Sequence, residues 1–309
     1  MFFLLIAVFI VLCVLISGLY AFSVACIRGK DPNWLDKETL GNTPYAEYYD
    51  TIIASDQWLR EHHAEDLYIK SSDGLILHGL WVPAEFANGT MILVHGYRSS
   101  QLIDFGFVLD YYHNEGYNLL LPDQRCHGKS EGRYITFGIK ESDDILQWIE
   151  YHNFAFGEYA VVLCGLSMGA STIMYLADEQ MPHNVKGMIA DCGFTSPKEI
   201  IGTVYKTVTH LPPGPSLWVT DILARIFAGF HLSQKDTRVT LAKNRLPILF
   251  VHGLDDDYVP CEMTKEAYCV CSGNKEILLV EGAGHAVSFL VDRVRYRAAV
   301  EKLLNKIIL

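Results

Sequence analysis

The stretch Val161–Ala170 reads VVLCGLSMGA. Val161, Val162 and Leu163 form an apolar run that meets Gly165, then Ser167, then Gly169, and small residues continue into a helical pattern. This is a strand, a turn too tight for side chains at the two glycine positions, and a helix. Ser167 stands at the apex, in the context of a G-x-S-x-G nucleophile elbow. Such a serine needs a base, an acid and an oxyanion hole, so the rest of the chain is read for those groups.

With 309 residues, half of them apolar, the chain has room for one large α/β domain with an appendage, or two small domains. A formal charge of −11 argues against a nucleic-acid partner, since no basic stripe is available to neutralise phosphates. The first 27 residues, Met1 to Ile27, carry no charged side chain. As a helix they would extend roughly 40 Å, enough to cross a hydrocarbon core of about 30 Å. A secretory signal has a basic start and a shorter apolar stretch, so residues 1–27 read as an uncleaved single-pass membrane anchor. Arg28 and Lys30 follow the span, and the positive-inside bias puts the catalytic domain on the cytoplasmic side. Cys13 and Cys26 lie in the span, and Cys126, Cys164, Cys192, Cys261, Cys269 and Cys271 show neither a disulfide framework nor zinc-site spacing. They read as reduced structural thiols.

Residues 28–63 are expected to form a polar juxtamembrane linker followed by a helix over Pro44–His62. His62 and His63 read there as solvated residues rather than metal ligands. From residue 64 to 309 the pattern alternates. Strands are expected at Leu67–Lys70, Leu75–Val82, Met91–Val94, Asn118–Leu121, Val161 onward, Val185–Ala190, Pro247–Val251 and Glu276–Val280. Helices are expected at Ile103–Glu115, Gly138–His152, after the elbow, at Glu262–Cys271 and at Ser288–Leu309. In the Gly138–His152 helix, Ser142, Asp143 and Asp144 are expected to face outward and Ile145, Trp148 and Ile149 inward. The alternation implies a mostly parallel sheet with helices on both faces, begun by an antiparallel hairpin. Phe194–Arg245 breaks the rhythm and is too long for a plain crossover, so about 194–245 reads as a helical cap over the carboxyl edge of the sheet.

Ligands of open parallel sheets bind at the carboxyl ends of the strands, where His95, Asp123, Ser167, Asp191, Asp256 and His285 fall. Among the histidines after Ser167, only His285 follows the last strand, on the flexible loop Gly282-Ala283-Gly284-His285. The acid belongs one strand earlier, in HGLDDDYVP from His252 to Pro260, and spacing alone leaves Asp255, Asp256 and Asp257 open.

LVHGY (Leu93 to Tyr97), PDQRCHGKSEG (Pro122 to Gly132), GLSMG, HGLDDDYVP and GAGH stand in order along the chain. With them the chain, from about Leu67 onward, resembles the α/β-hydrolase superfamily. The likeness is strongest to membrane-anchored bacterial members, serine aminopeptidase-like members and ABHD-type serine hydrolases. The resemblance implies an eight-stranded sheet, places the acid at Asp256, and so implies a triad of Ser167, Asp256 and His285. The elbow offers the backbone N–H of Met168 to an oxyanion, and the resemblance assigns the second donor to Tyr97. His95 reads as organising that loop, the loop of Asp123, Arg125 and His127 reads as structural, and Asp191 is an alternative acid. The implied activity is cleavage of carboxylic esters, small-molecule or acyl, with an apolar acyl group under the cap. A peptidase or amidase is the rival, with Asp221 a candidate to meet a free amine; a catalytically silent membrane-bound binding module is the reading from another class. No phosphate loop, dinucleotide fingerprint or zinc pattern is present, so no cofactor or metal is expected.

Overall fold

The computed structural model describes residues 1–41, 43 and 45–307. Eight strands form one sheet: β1 (Glu65–Lys70), β2 (Ile76–Val82), β3 (Gly89–Val94), β4 (Tyr117–Pro122), β5 (Val161–Leu166), β6 (Val185–Asp191), β7 (Ile248–Gly253) and β8 (Lys275–Val280). Their order is β1-β2-β4-β3-β5-β6-β7-β8. β1 and β2 pair antiparallel, β2 meets β4 antiparallel, and every later pairing is parallel. The central strands β3, β4, β5 and β7 are buried along their whole length because both faces are covered. In β3, Met91 and Leu93 enter one core while Ile92 and Val94 enter the other. In β5, Val162 and Cys164 join the first core, and Val161 and Leu163 the second. The first is closed by Leu109 and Tyr112 and by the last helix (Arg293–Ile307) through Tyr296, Val300 and Leu303. The second is closed by the helix Ile139–Phe156 through Ile145, Trp148 and Ile149, and by the helix after the elbow (Met168–Met174).

Some helices differ from their expected form. The Ile103–Glu115 segment is broken into Gln101–Phe105 and Leu109–Asn114 around Gly106. A Cβ on Gly106 would lie 2.9 Å from the Cβ of Ser55, so the helix Tyr49–Glu61 crosses closely there. Pro44, the expected start of that helix, lies outside the described residues, as do Ile308 and Leu309 at the end of the last helix. That last segment is also interrupted, at Asp292, which leaves helical geometry. Only Asp143 of the Ser142–Asp144 run faces outward. Asp144 is buried because Arg125, itself buried, grips both its oxygens at 2.6 Å. Ser142 is buried with its hydroxyl donating to the Ile139 carbonyl.

The cap consists of two main helices, Pro197–Thr209 and Gly214–Leu223, the second continuing into a π-turn over Ala224–Ala228, and a short helix Thr237–Leu241. Ser196 starts the first cap helix by accepting from the Glu199 N–H, with Pro197 in its first turn, and the pair makes a strong helix start. The N-terminal helix (Phe2–Cys26) is long and apolar enough to cross a membrane. It is not a detached tether, since Phe22 and Cys26 belong to the same buried cluster as Leu217, Ala224 and Phe230 of the cap.

Candidate active site

Ser167 follows the last residue of β5 and caps the following helix with φ 55° and ψ −116°, a strained backbone for a residue with a side chain. Such conformations cost about 1–3 kcal/mol and persist only where the surroundings enforce them. Here the glycines enforce it. A Cβ on Gly165 would lie 2.3 Å from the Gly169 carbonyl oxygen, and one on Gly169 would lie 1.8 Å from the Val94 carbonyl oxygen. The serine is therefore driven out of the turn above the sheet.

His285, on the loop after β8, places Nε2 2.9 Å from Ser167 Oγ and donates from Nδ1 to Asp256 Oδ2 at 2.7 Å. Among the three aspartates left open by spacing, Asp256 turns inward, whereas Asp255 and Asp257 are exposed. Its carboxylate takes four donors. The N–H groups of Tyr258 and Val259 reach Oδ1 at 2.9 and 2.8 Å. His285, and His252 Nε2 at 3.1 Å, reach Oδ2. Burial alone would raise this carboxyl, but the bonds from His252 and His285 hold it well below the usual carboxylate range. His252 was not singled out by sequence. The signal available was its place immediately before the glycine that ends β7, and its partner Thr264 Oγ1, 2.7 Å from Nδ1, lies on the next helix.

The loop after β3 comes up beside the serine: a Cβ on Gly96 would lie 3.2 Å from Ser167 Cβ. The loop is held at several points. Asp104 accepts from the Gly96 N–H and the Ser99 hydroxyl, both at 2.6 Å, and burial pushes its carboxyl up. His127 Nε2 accepts from the Arg98 N–H at 2.9 Å, so this nitrogen is unprotonated. Burial, reinforced by neighbouring His95, holds the His127 imidazole down at about 3, in keeping with that neutral form. His95 accepts at Nε2 from the Gln124 N–H at 3.0 Å, which ties this loop to the one after β4. Asp123 is engaged by His78 Nδ1 at 2.7 Å, and Arg125 by Asp144 and Asp73. None of Asp123, Arg125 and His127 lines the cavity at the serine. Asp104 and Arg98 are further residues that sequence reasoning passed over.

Asp191 ends β6 and is buried, facing the Ser288 hydroxyl at 3.4 Å rather than the His285 ring; burial pushes its carboxyl up to about 6. Cys192, Asp256 and His285 bring possible ligand atoms within 4.8 Å of one another. They do not suit a metal. The Asp256 oxygens are already occupied by N–H donors, and burial raises the Cys192 thiol far above its ordinary range, keeping it protonated. All eight cysteines are free thiols.

A cavity of about 210 Å³ opens at Ser167. Phe137, Phe194, Ile200, Ile201 and Val204 form much of its wall, and among the described residues no Asp, Glu, Lys or Arg lines it. Asp221, the candidate for meeting a free amine, is engaged elsewhere. It accepts from the Leu232 N–H at 2.7 Å and pairs with Arg225 at 2.8 Å.

The esterase Pf2001 of Pyrococcus furiosus superposes on 81% of this chain and 95% of its own, with a TM-score of 0.65 at 23% identity. The esterase RhEst1 of a Rhodococcus species covers 78% of this chain and 99% of its own, with a TM-score of 0.60 at 18% identity. The chain has the α/β-hydrolase fold. Residues 86–213 of the chain match the family model described as serine aminopeptidase, S33. The uncharacterized protein YqkD of Bacillus subtilis is 27% identical over 238 residues, 77% of this chain and 78% of its own. Protein bem46 of Schizosaccharomyces pombe is 26% identical over 160 residues, 52% of this chain and 48% of its own length.

Proposed function

We propose that this protein is a membrane-anchored serine hydrolase that cleaves carboxylic esters carrying an apolar acyl group. The observation that supports this most is the line Ser167–His285–Asp256, at 2.9 and 2.7 Å, set at the floor of an apolar cavity. His285 takes the Ser167 proton as Oγ attacks the ester carbonyl, because a neutral hydroxyl is a poor nucleophile. Asp256 holds the proton on Nδ1, leaving Nε2 to act as base, and stabilises the imidazolium. The N–H groups of Met168 and Tyr97 receive the oxyanion; losing one such donor typically costs about 3–4 kcal/mol. The imidazolium then protonates the leaving alkoxide, and a water activated by His285 releases the acid.

The matching family model is described as a serine aminopeptidase, and amide cleavage is the second reading. An ester is favoured because an aminopeptidase must neutralise a free ammonium, and no acid among the described residues lines the cavity. The helix Phe2–Cys26 crosses the membrane in this reading, and Arg28 and Lys30 after it support a catalytic domain on the cytoplasmic face. Ser167→Ala is expected to abolish both p-nitrophenyl ester turnover and fluorophosphonate labelling, and persistent labelling would refute the nucleophile. Faster turnover of amino-acid anilides than of p-nitrophenyl esters of any chain length would favour the peptidase.

A further inference from the structure

We infer that the N-terminal helix forms one wall of the substrate cavity, and that the acyl chain of a membrane lipid ester enters sideways from the leaflet, between this helix and the first cap helix. This rests on the ester-hydrolase reading and on the helix crossing a bilayer.

Ser17, Tyr20, Ala21, Val24 and Ala25 line the cavity that contains Ser167. Their spacing is that of one face of an α-helix. Across from them stand Val204, Tyr205 and Val208 of the first cap helix. The helix is locked in this place by a seam of small residues. A Cβ on Gly18 would lie 2.4 Å from the Val219 Cβ, so no larger residue fits. Ser17 Oγ meets Tyr205 Oη at 2.7 Å, and Thr220 Oγ1 donates to the Gly18 carbonyl at 3.2 Å. Small residues and hydroxyls at a helix crossing are the usual means of close packing inside a bilayer.

The lower end of the helix is clamped to the oxyanion loop. Tyr97 Oη donates to the Val24 and Ala25 carbonyls at 2.9 Å, and the Arg98 guanidinium donates to Val24 and Ile27 carbonyls at 2.9 and 2.6 Å. The wall and the catalytic loop are thus one assembly.

Depth follows from length. A hydrocarbon core takes about 20 helical residues. Any window of about that size on the 25-residue helix Phe2–Cys26 includes Ser17, Gly18 and Ala21, the residues packed on the cap. The first charged side chain after the helix begins is Arg28, so no polar boundary separates the cap-packed turns from the rest of the span. The second cap helix therefore enters the leaflet alongside. Its outer side chains suit that position: Trp218 and Ile226 are 66% and 68% exposed. Tyr20 and Val208, one from each lip of the cavity, are 67% and 71% exposed, so the mouth opens at this level. A chain entering there lays its ester carbonyl at Ser167 with its tail trailing into the leaflet. The alcohol departs past Tyr258, the half-exposed residue beside His285, toward water.

The test uses the full chain in phosphatidylcholine vesicles. Brominated acyl chains should quench a component of the intrinsic fluorescence that is missing in Trp218→Phe. The double variant Trp218→Asp/Ile226→Asp should lower turnover of vesicle-dissolved p-nitrophenyl palmitate at least tenfold, with p-nitrophenyl acetate in water changed less than twofold. Val24→Trp should lower the ratio of palmitate to acetate turnover by a similar factor. A Trp218 signal quenched by aqueous iodide but not by brominated lipid overturns the inference, as does an equal fall of both esters in the double variant. Wild-type protein inert to both esters and to fluorophosphonate would instead defeat the hydrolase reading itself.

Discussion

Replacing Asp256 by asparagine changes one oxygen into an NH2 group in a place where four N–H donors converge. The Tyr258 and Val259 N–H groups are fixed by the backbone at 2.9 and 2.8 Å, so the amide oxygen must take the Oδ1 position. The NH2 group then faces His285 Nδ1 at 2.7 Å and His252 Nε2 at 3.1 Å, two donors against a donor. His285 relieves the conflict by moving its proton to Nε2, the nitrogen 2.9 Å from Ser167 Oγ. A protonated Nε2 cannot accept the serine proton, so the base is lost while its position is kept. The expected fall in kcat is about 10⁴-fold, or roughly 5 kcal/mol of barrier. The assay is p-nitrophenyl butyrate turnover together with the rate of fluorophosphonate labelling, with circular dichroism to confirm folding. Asp255→Asn and Asp257→Asn, both on exposed side chains, should stay within about twofold, the range of surface substitutions. If Asp256→Asn keeps more than a tenth of wild-type activity while Asp191→Asn abolishes it, the acid works from the end of β6 and the reasoning fails.

Asp104→Ala leaves the Gly96 N–H without its acceptor and loosens the loop that carries Tyr97. It should lower kcat about 10–100-fold with little change in KM, since the donor acts mainly in the transition state. Gly169→Ala puts a methyl group 1.8 Å from a backbone oxygen that has no rotamer to escape into, and should destabilise the protein by at least about 3 kcal/mol in urea titration. Arg125→Met strands the buried Asp144 carboxylate and should cost about 3–5 kcal/mol in the same measurement. Asp191 has a raised folded pKa of about 6, so its favourable contribution is present below the unfolded carboxylate range and is lost as pH rises through about 6. The difference in Tm between Asp191→Asn and wild type should accordingly move in favour of the variant from about pH 5 to about pH 8.

The sheet was legible because covered parallel strands must be apolar throughout. The runs from Met91, Asn118, Val161, Val185 and Pro247 have few other uses between glycine-marked turns. The order of Ser167, the aspartate loop and His285 was legible for a related reason: strand ends define where side chains can converge. What escaped was whatever depends on partners distant in sequence. Ser142 and Asp144 sit in a charged run that reads as a solvated helix face until Arg125 arrives from another loop. Asp104 is an ordinary helical aspartate until Gly96 lies beneath it. Ser17, Gly18 and Ala21 look like any small residues in an apolar span, because nothing local marks Val219 or Tyr205 as their partners.

The clamp of Tyr97 and Arg98 on the end of the N-terminal helix bears on biogenesis. The helix precedes the cap in the chain, and its hydrogen-bond partners there follow 188 to 202 residues later. Contacts of such long range form late in folding. The cavity therefore stays open on its cap side until the cap has been synthesised and has closed on this helix. On the proposed reading of a membrane-anchored hydrolase, the active site is completed only after its first wall has entered the lipid.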